Sequence, residues 1–121
     1  MTSDESSAAA GLVAAEWRFY TEETQDLVDP AMARAAYAQP RLRELFPRAS
    51  HGVMFFSRCT GLPAARVGGQ VYTSAPGQYR VRGPEGRTIG ETDSLEAAFE
   101  LVVRSLPDDS GPAVIGTAKD L

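Results

Sequence analysis

The apolar pattern of this chain changes period at His51, and that change constrains the fold more than any single motif. Before it, apolar residues recur at helical spacing. Val13, Trp17 and Tyr20 fall at i, i+4 and i+7, with Leu12 and Phe19 beside them. After it, Val53-Met54-Phe55-Phe56 is a continuous apolar run, and Gln78–Arg82 alternates with Tyr79 and Val81 on one face. Helical spacing returns at Leu95, Phe99, Val102 and Leu106. Helices and strands segregated in this way imply an α+β fold.

Capping and turn residues divide the pattern into elements. Ser6 or Ser7 can cap a helix from about Ala8 to about Gln25, behind a small polar segment, residues 1–7, read as a disordered leader. Asp29-Pro30 opens a second helix, which must stop before Pro40. Pro40 then opens a short helix, Arg41–Phe46, closed by Pro47. Val53–Phe56 reads as a strand buried on both faces, and Arg66–Thr73 as a second strand with a bulge at Gly68-Gly69. Ser74–Gly77 and Gly83–Gly86 have turn chemistry, which makes Gln78–Arg82 and Arg87–Thr92 two further strands. Asp93 or Ser94 caps the last helix. A polar loop, Asp108–Pro112, and a short apolar run, Ala113–Ile115, follow it. The expected domain, residues 8–121, is therefore N-terminal helices, an antiparallel meander of about four strands, and a C-terminal helix packed on the sheet.

Composition removes several classes of function. A chain of 121 residues suits one domain, and 43% hydrophobic with 23% charged residues excludes a disordered or collagen-like chain. One cysteine forms no internal disulfide, and one His with one Cys makes no standard zinc site, so no metal or cofactor is expected. The longest small-apolar run, Ala8–Ala15, is far below the ~20 residues of a membrane span. Asp4 and Glu5 precede it where a secretory signal would be basic, which points to a cytoplasmic protein without a membrane partner. The net charge of −4 hides a segregation. Residues 30–90 carry nine arginines against Glu44 and Glu85, while both flanks are acidic. Either the flanks neutralise the middle through surface ion pairs, or its arginines face an anion.

The densest reactive cluster is Ser50-His51-Gly52 with Ser57-Arg58-Cys59-Thr60. A Cys–His pair fails on geometry, because eight residues of strand put the two backbones about 26 Å apart. A base must come within about 3 Å of its nucleophile. Arg58 follows the apolar strand directly. It emerges at the sheet edge, pairs with an acid of a terminal helix, or binds an anionic group. Arg80 and Arg82 share one face of their strand and, with Arg87 on the return strand, form a candidate basic face. Gly83-Pro84-Glu85-Gly86 lacks the lysine and the following helix of a phosphate loop.

Several segments resemble one family. They are Asp29-Pro30 with Ala35-Ala36-Tyr37, Pro40-Arg41-Leu42-Arg43-Glu44-Leu45-Phe46-Pro47, Ser50-His51-Gly52 and Phe56-Ser57-Arg58-Cys59-Thr60. Tyr79-Arg80-Val81, Gly90-Glu91, Glu96-Ala97-Ala98, Leu106-Pro107 and Gly111-Pro112-Ala113 continue the likeness. Together they are similar to an actinobacterial family of unknown function whose members are labelled natural product biosynthesis proteins. Arg48 and Ala64-Ala65 depart from that pattern, standing where aromatic or bulkier residues are usual.

The resemblance implies a small accessory or tailoring protein of secondary metabolism that binds a small-molecule or carrier-linked intermediate. His51, Ser57 and Arg58 are the candidate ligand residues, a reading that requires the chain to double back so that they converge on an apolar cavity. The alternative is an interaction module that docks a protein partner or a second copy through Val13, Trp17 and Tyr20. A nucleic-acid role would rest on Arg80, Arg82 and Arg87, and the net charge opposes it.

Overall fold

The computed structural model describes residues 3–121, with side chains described from Ser7 onward. The elements run α1 (Ser3–Glu22), α2 (Pro30–Tyr37), α3 (Pro40–Arg43), β1 (Phe46–Ser50), β2 (Val53–Ser57), β3 (Arg66–Ala75), β4 (Gln78–Arg82), β5 (Thr88–Thr92) and α4 (Leu95–Arg104). A 3₁₀ turn, Ala118–Asp120, ends the chain. The fold is α+β, as the change of period implies. Each strand pairs antiparallel with its neighbour in sequence, giving one sheet in the order β1-β2-β3-β4-β5.

Local chemistry sets most boundaries. The Asp29 carboxylate accepts from Ala31 N–H at 2.9 Å at the start of α2, with Pro30 in the first turn. Ser94, not Asp93, caps α4 by accepting from Ala97 N–H. Pro76-Gly77 closes the β3–β4 hairpin, with Gly77 at φ 74°. The bulge expected at Gly68-Gly69 is present, as β3 has three residues between Val67 and Val71 where β2 has only Phe55. Both glycines sit too close to neighbours for a side chain. A Cβ on Gly69 would stand 2.5 Å from the Arg82 carbonyl oxygen, and one on Gly68 2.6 Å from Leu106.

Three expectations need correction. The short helix expected over Arg41–Phe46 stops at Arg43, and Phe46–Ser50 instead pairs along the outer edge of β2 as a fifth strand of the expected meander. Proline is tolerated in such an edge strand, where the missing N–H need not face a partner. The helix expected from Ala8 is already formed at Ser3 and ends at Glu22. The expected leader thus overlaps the helix, and its first two residues lie outside the described residues. Finally, β2 is not buried on both faces: Met54 and Phe56 are fully buried, whereas Val53 and Phe55 are half-buried on the opposite face.

One side of the sheet carries the core. Met54, Phe56, Val71 and Val81 meet Phe99 and Val102 of α4, Met32 and Ala36 of α2, and Val13, Trp17 and Tyr20 of α1. Aromatic rings link the layers. Trp17 stacks on Phe56 at 6.1 Å, and Phe56 meets the edge of Phe99 at 6.2 Å. The stripe of α1 is therefore packed inside its own chain.

Candidate functional site

His51 and Ser57 lie at opposite ends of β2 and do not meet. His51 and Gly52 form the two-residue turn between β1 and β2, at φ 53° and 82°, the geometry of a tight hairpin turn. The imidazole is exposed and its Nδ1 meets Ser50 Oγ at 2.9 Å. Ser57 ends the same strand at its other extremity, so about six residues of extended chain separate it from His51 by roughly 20 Å. Ser57 is fully buried, and its Oγ accepts from the N–H of Cys59 at 3.2 Å and of Ala65 at 3.0 Å. That hydroxyl braces the loop leaving β2. The Arg58 guanidinium forms no ion pair with a described residue. Its backbone donates to Ala65 O and accepts from Val114 N–H. Cys59 is buried in this loop, with Ser57 Oγ 3.5 Å from its sulfur.

Val13, Trp17 and Tyr20, the candidate docking stripe, face the core of their own chain. Trp17 is 1% exposed, and releasing this stripe to a partner would open the core. Its indole N–H is shared between the carbonyls of Arg43 and Leu45, each 3.2 Å away. Trp17 thereby fixes the chain between α3 and β1 against α1.

That arrangement leaves an apolar cleft of ≈ 490 Å³ between α1, α3 and the C-terminal segment. Ala10, Val13 and Ala14 form one side, and their short side chains keep it open. Trp17 and Tyr37 form the floor, the Tyr37 ring meeting Trp17 edge-on at 5.3 Å. Ala113, Val114 and Ile115 form the far wall. Two charged groups interrupt this lining, Arg43 and Glu44. The Arg43 guanidinium lies 4.7 Å over the Tyr37 ring and donates from Nε to Tyr37 O at 2.9 Å. Its outer nitrogens keep their donor capacity, because Arg43 has no ion pair among the described residues.

The far wall is held from a distance. Val114 pairs with Cys59 in a one-residue parallel bridge. Val114 N–H donates to Arg58 O and Thr60 N–H donates to Val114 O, both at 3.0 Å, while Ala113 N–H reaches Glu44 O at 2.9 Å. The Ser57–Thr60 block thus contributes to the cleft as a buttress, through its backbone. The groups that line the cleft, Tyr37, Arg43, Glu44, Pro112 and Ala113, were not selected as site residues from the sequence. The signal available was that all five lie in the segments carrying the family resemblance.

Beside this cleft, Glu16 is half-buried, and burial pushes its carboxyl above the usual 4.5. The Arg48 charge and a hydrogen bond with Tyr20 pull it partly back. On the outer face of the sheet, Arg80 and Arg82 do lie side by side, flanking Tyr72. The Arg80 guanidinium donates to Tyr72 Oη at 3.3 Å, which lowers that phenol's pKa. Arg80 also forms a 2.7 Å ion pair with Glu91 across the β4–β5 ladder. Arg87 lies in the turn before β5, its carbonyl accepting from Gly83 N–H. No cluster of His, Cys, Asp or Glu able to hold a metal occurs among the described residues. No described helix is long and apolar enough to cross a membrane.

Comparison with protein families matches residues 11–117 to a family of unknown function, DUF6193. No curated protein and no solved structure matches the chain.

Proposed function

The chain belongs to the DUF6193 family, and we propose that it is a binding protein for an apolar small molecule, free or tethered to a carrier. The likeness to proteins labelled for natural product biosynthesis makes an actinobacterial secondary metabolite the class of ligand to try first. The observation that carries the reading is the cleft over Trp17. Its ≈ 490 Å³ lies within the range of sites for small organic ligands. Its lining has their usual makeup, a mostly apolar surface with few polar groups. Arg43, stacked on Tyr37, would take a carboxylate or phosphate on the ligand in two-pronged geometry. Glu44 at the same rim would reject a second anionic group and accept from a hydroxyl or amine.

Trp17 is the only tryptophan, so its fluorescence reports the cleft alone. Titration with a medium-chain fatty acid, an apolar chain ending in a carboxylate, should give a saturable change in Trp17 emission. Ala10→Phe should weaken this at least tenfold by filling the cleft from an exposed position of α1, with the fold checked by circular dichroism. Arg43→Gln should weaken the acid more than the corresponding alcohol. Equal titrations in wild type and Ala10→Phe would refute the reading.

A further inference from the structure

We infer a second ligand site on the opposite face of the sheet, a notch that binds the phosphate group of a small phosphomonoester between Arg66 and Arg82. The notch, ≈ 260 Å³, is bounded by β3 at Gly68 and Gln70 and by the turn at Gly83-Pro84 and Gly86. Arg66 and Arg82 both line it, and no carboxylate does. Gln70 stands directly opposite Arg82 in the β3–β4 register.

Both guanidiniums are held in place without being neutralised. Arg66 lies 4.1 Å over the Phe55 ring, and Arg82 5.4 Å over the Tyr72 ring. Neither forms an ion pair among the described residues, whereas Arg80, on the same face, is paired with Glu91. Arg66 Nη2 donates to Gln70 Oε1. That contact fixes the amide, so Gln70 Nε2 is left as a third donor. Two oriented cations and an amide donor around a space without acids are complementary to a tetrahedral dianion. The local charge agrees, since residues 30–90 are strongly basic in an acidic chain. The volume exceeds that of a lone phosphate and leaves room for a small attached group.

Calorimetric titration with inorganic phosphate and with phenyl phosphate, at low ionic strength, tests the site. Wild type should bind at least one of them saturably at one equivalent. Arg66→Gln and Arg82→Gln should each weaken that binding tenfold or more. Arg82→Lys, which keeps the charge and loses the fork, should weaken it several-fold, so a folding defect in one variant does not decide the matter. Arg87→Gln, outside the notch, should bind as wild type does. Either ranking of the two probes supports the site. Tighter inorganic phosphate would show that the dianion alone is read, and tighter phenyl phosphate that the rest of the notch contributes. No wild-type binding of either probe at millimolar concentration, or equal losses in all the variants including Arg87→Gln, would overturn it. Ala10→Phe leaves this site intact, so its outcome is independent of the cleft.

Discussion

Replacing Ser57 by alanine distinguishes a bracing hydroxyl from a ligand-binding one. Ser57 Oγ is fully buried and accepts two backbone N–H groups, from Cys59 at 3.2 Å and from Ala65 at 3.0 Å. Alanine removes the acceptor and leaves both donors in place. A buried donor without a partner costs about 1–3 kcal/mol. The Ala65 N–H is only partly buried, so its share falls at the low end. The sum is about 2–4 kcal/mol, and the cavity left by one oxygen adds little. For a chain of this length that corresponds to a fall in Tm on the order of 10 °C. Differential scanning calorimetry of the full chain measures it. Ser50→Ala is the control, because that hydroxyl is exposed and, among the described residues, meets only His51. It should change stability by less than about 0.5 kcal/mol. Ligand titration of the folded Ser57→Ala protein completes the test. An unchanged Tm together with lost binding would show that the hydroxyl serves the ligand, and the bracing argument would fall.

Two further outcomes follow from the same geometry. Glu16 has a native pKa raised by burial, so the folded protein holds this proton while the unfolded chain releases it near pH 4.5. Stability of wild type relative to Glu16→Gln should therefore fall as pH rises above about 4.5 and level off above the native pKa; urea unfolding between pH 4 and 7 measures this, and a rising difference would mean that the Arg48 attraction outweighs burial. Gly69→Ala should destabilise by about 1–3 kcal/mol, because the new Cβ stands 2.5 Å from a backbone oxygen, that of Arg82. Gly90→Ala should cost less, since its Cβ meets at 2.5 Å only the tip of Leu101, which can turn away; equal midpoints in denaturant would refute that distinction.

Much of the fold was legible in the sequence because its signals are local. The caps at Asp29 and Ser94, the turns at Pro76-Gly77 and Gly83–Gly86, and the bulge at Gly68-Gly69 each depend on a few adjacent residues. The strand Phe46–Ser50 was hidden because Pro40 and Pro47 bracket a segment of helical length, and an edge strand tolerates the proline that would end a helix. The cleft was hidden for a different reason. Its floor comes from α1 and α2, and its far wall from residues placed by the pairing of Cys59 with Val114. A single parallel bridge between residues so distant has no periodicity to reveal it. The reactive residues that did stand out, His51 and Ser57, occupy opposite ends of one strand. Adjacency along the chain gave them a common neighbourhood that an extended backbone then pulled apart.

The meander also orders the events by which the molecule assembles. Every ladder of the sheet joins consecutive strands, so each hairpin closes over a short span of chain and loses little entropy in doing so. Such local pairings favour fast folding, and α4, which follows β5 directly, docks on a sheet formed close by. The Cys59–Val114 bridge and the return of α1 to the sheet span much longer loops. They gain nothing until the strands they join are in place. Contact order therefore predicts that the sheet forms before the cleft closes, so that Val71→Ala in the meander should slow folding while Val114→Ala in the far wall should mainly speed unfolding.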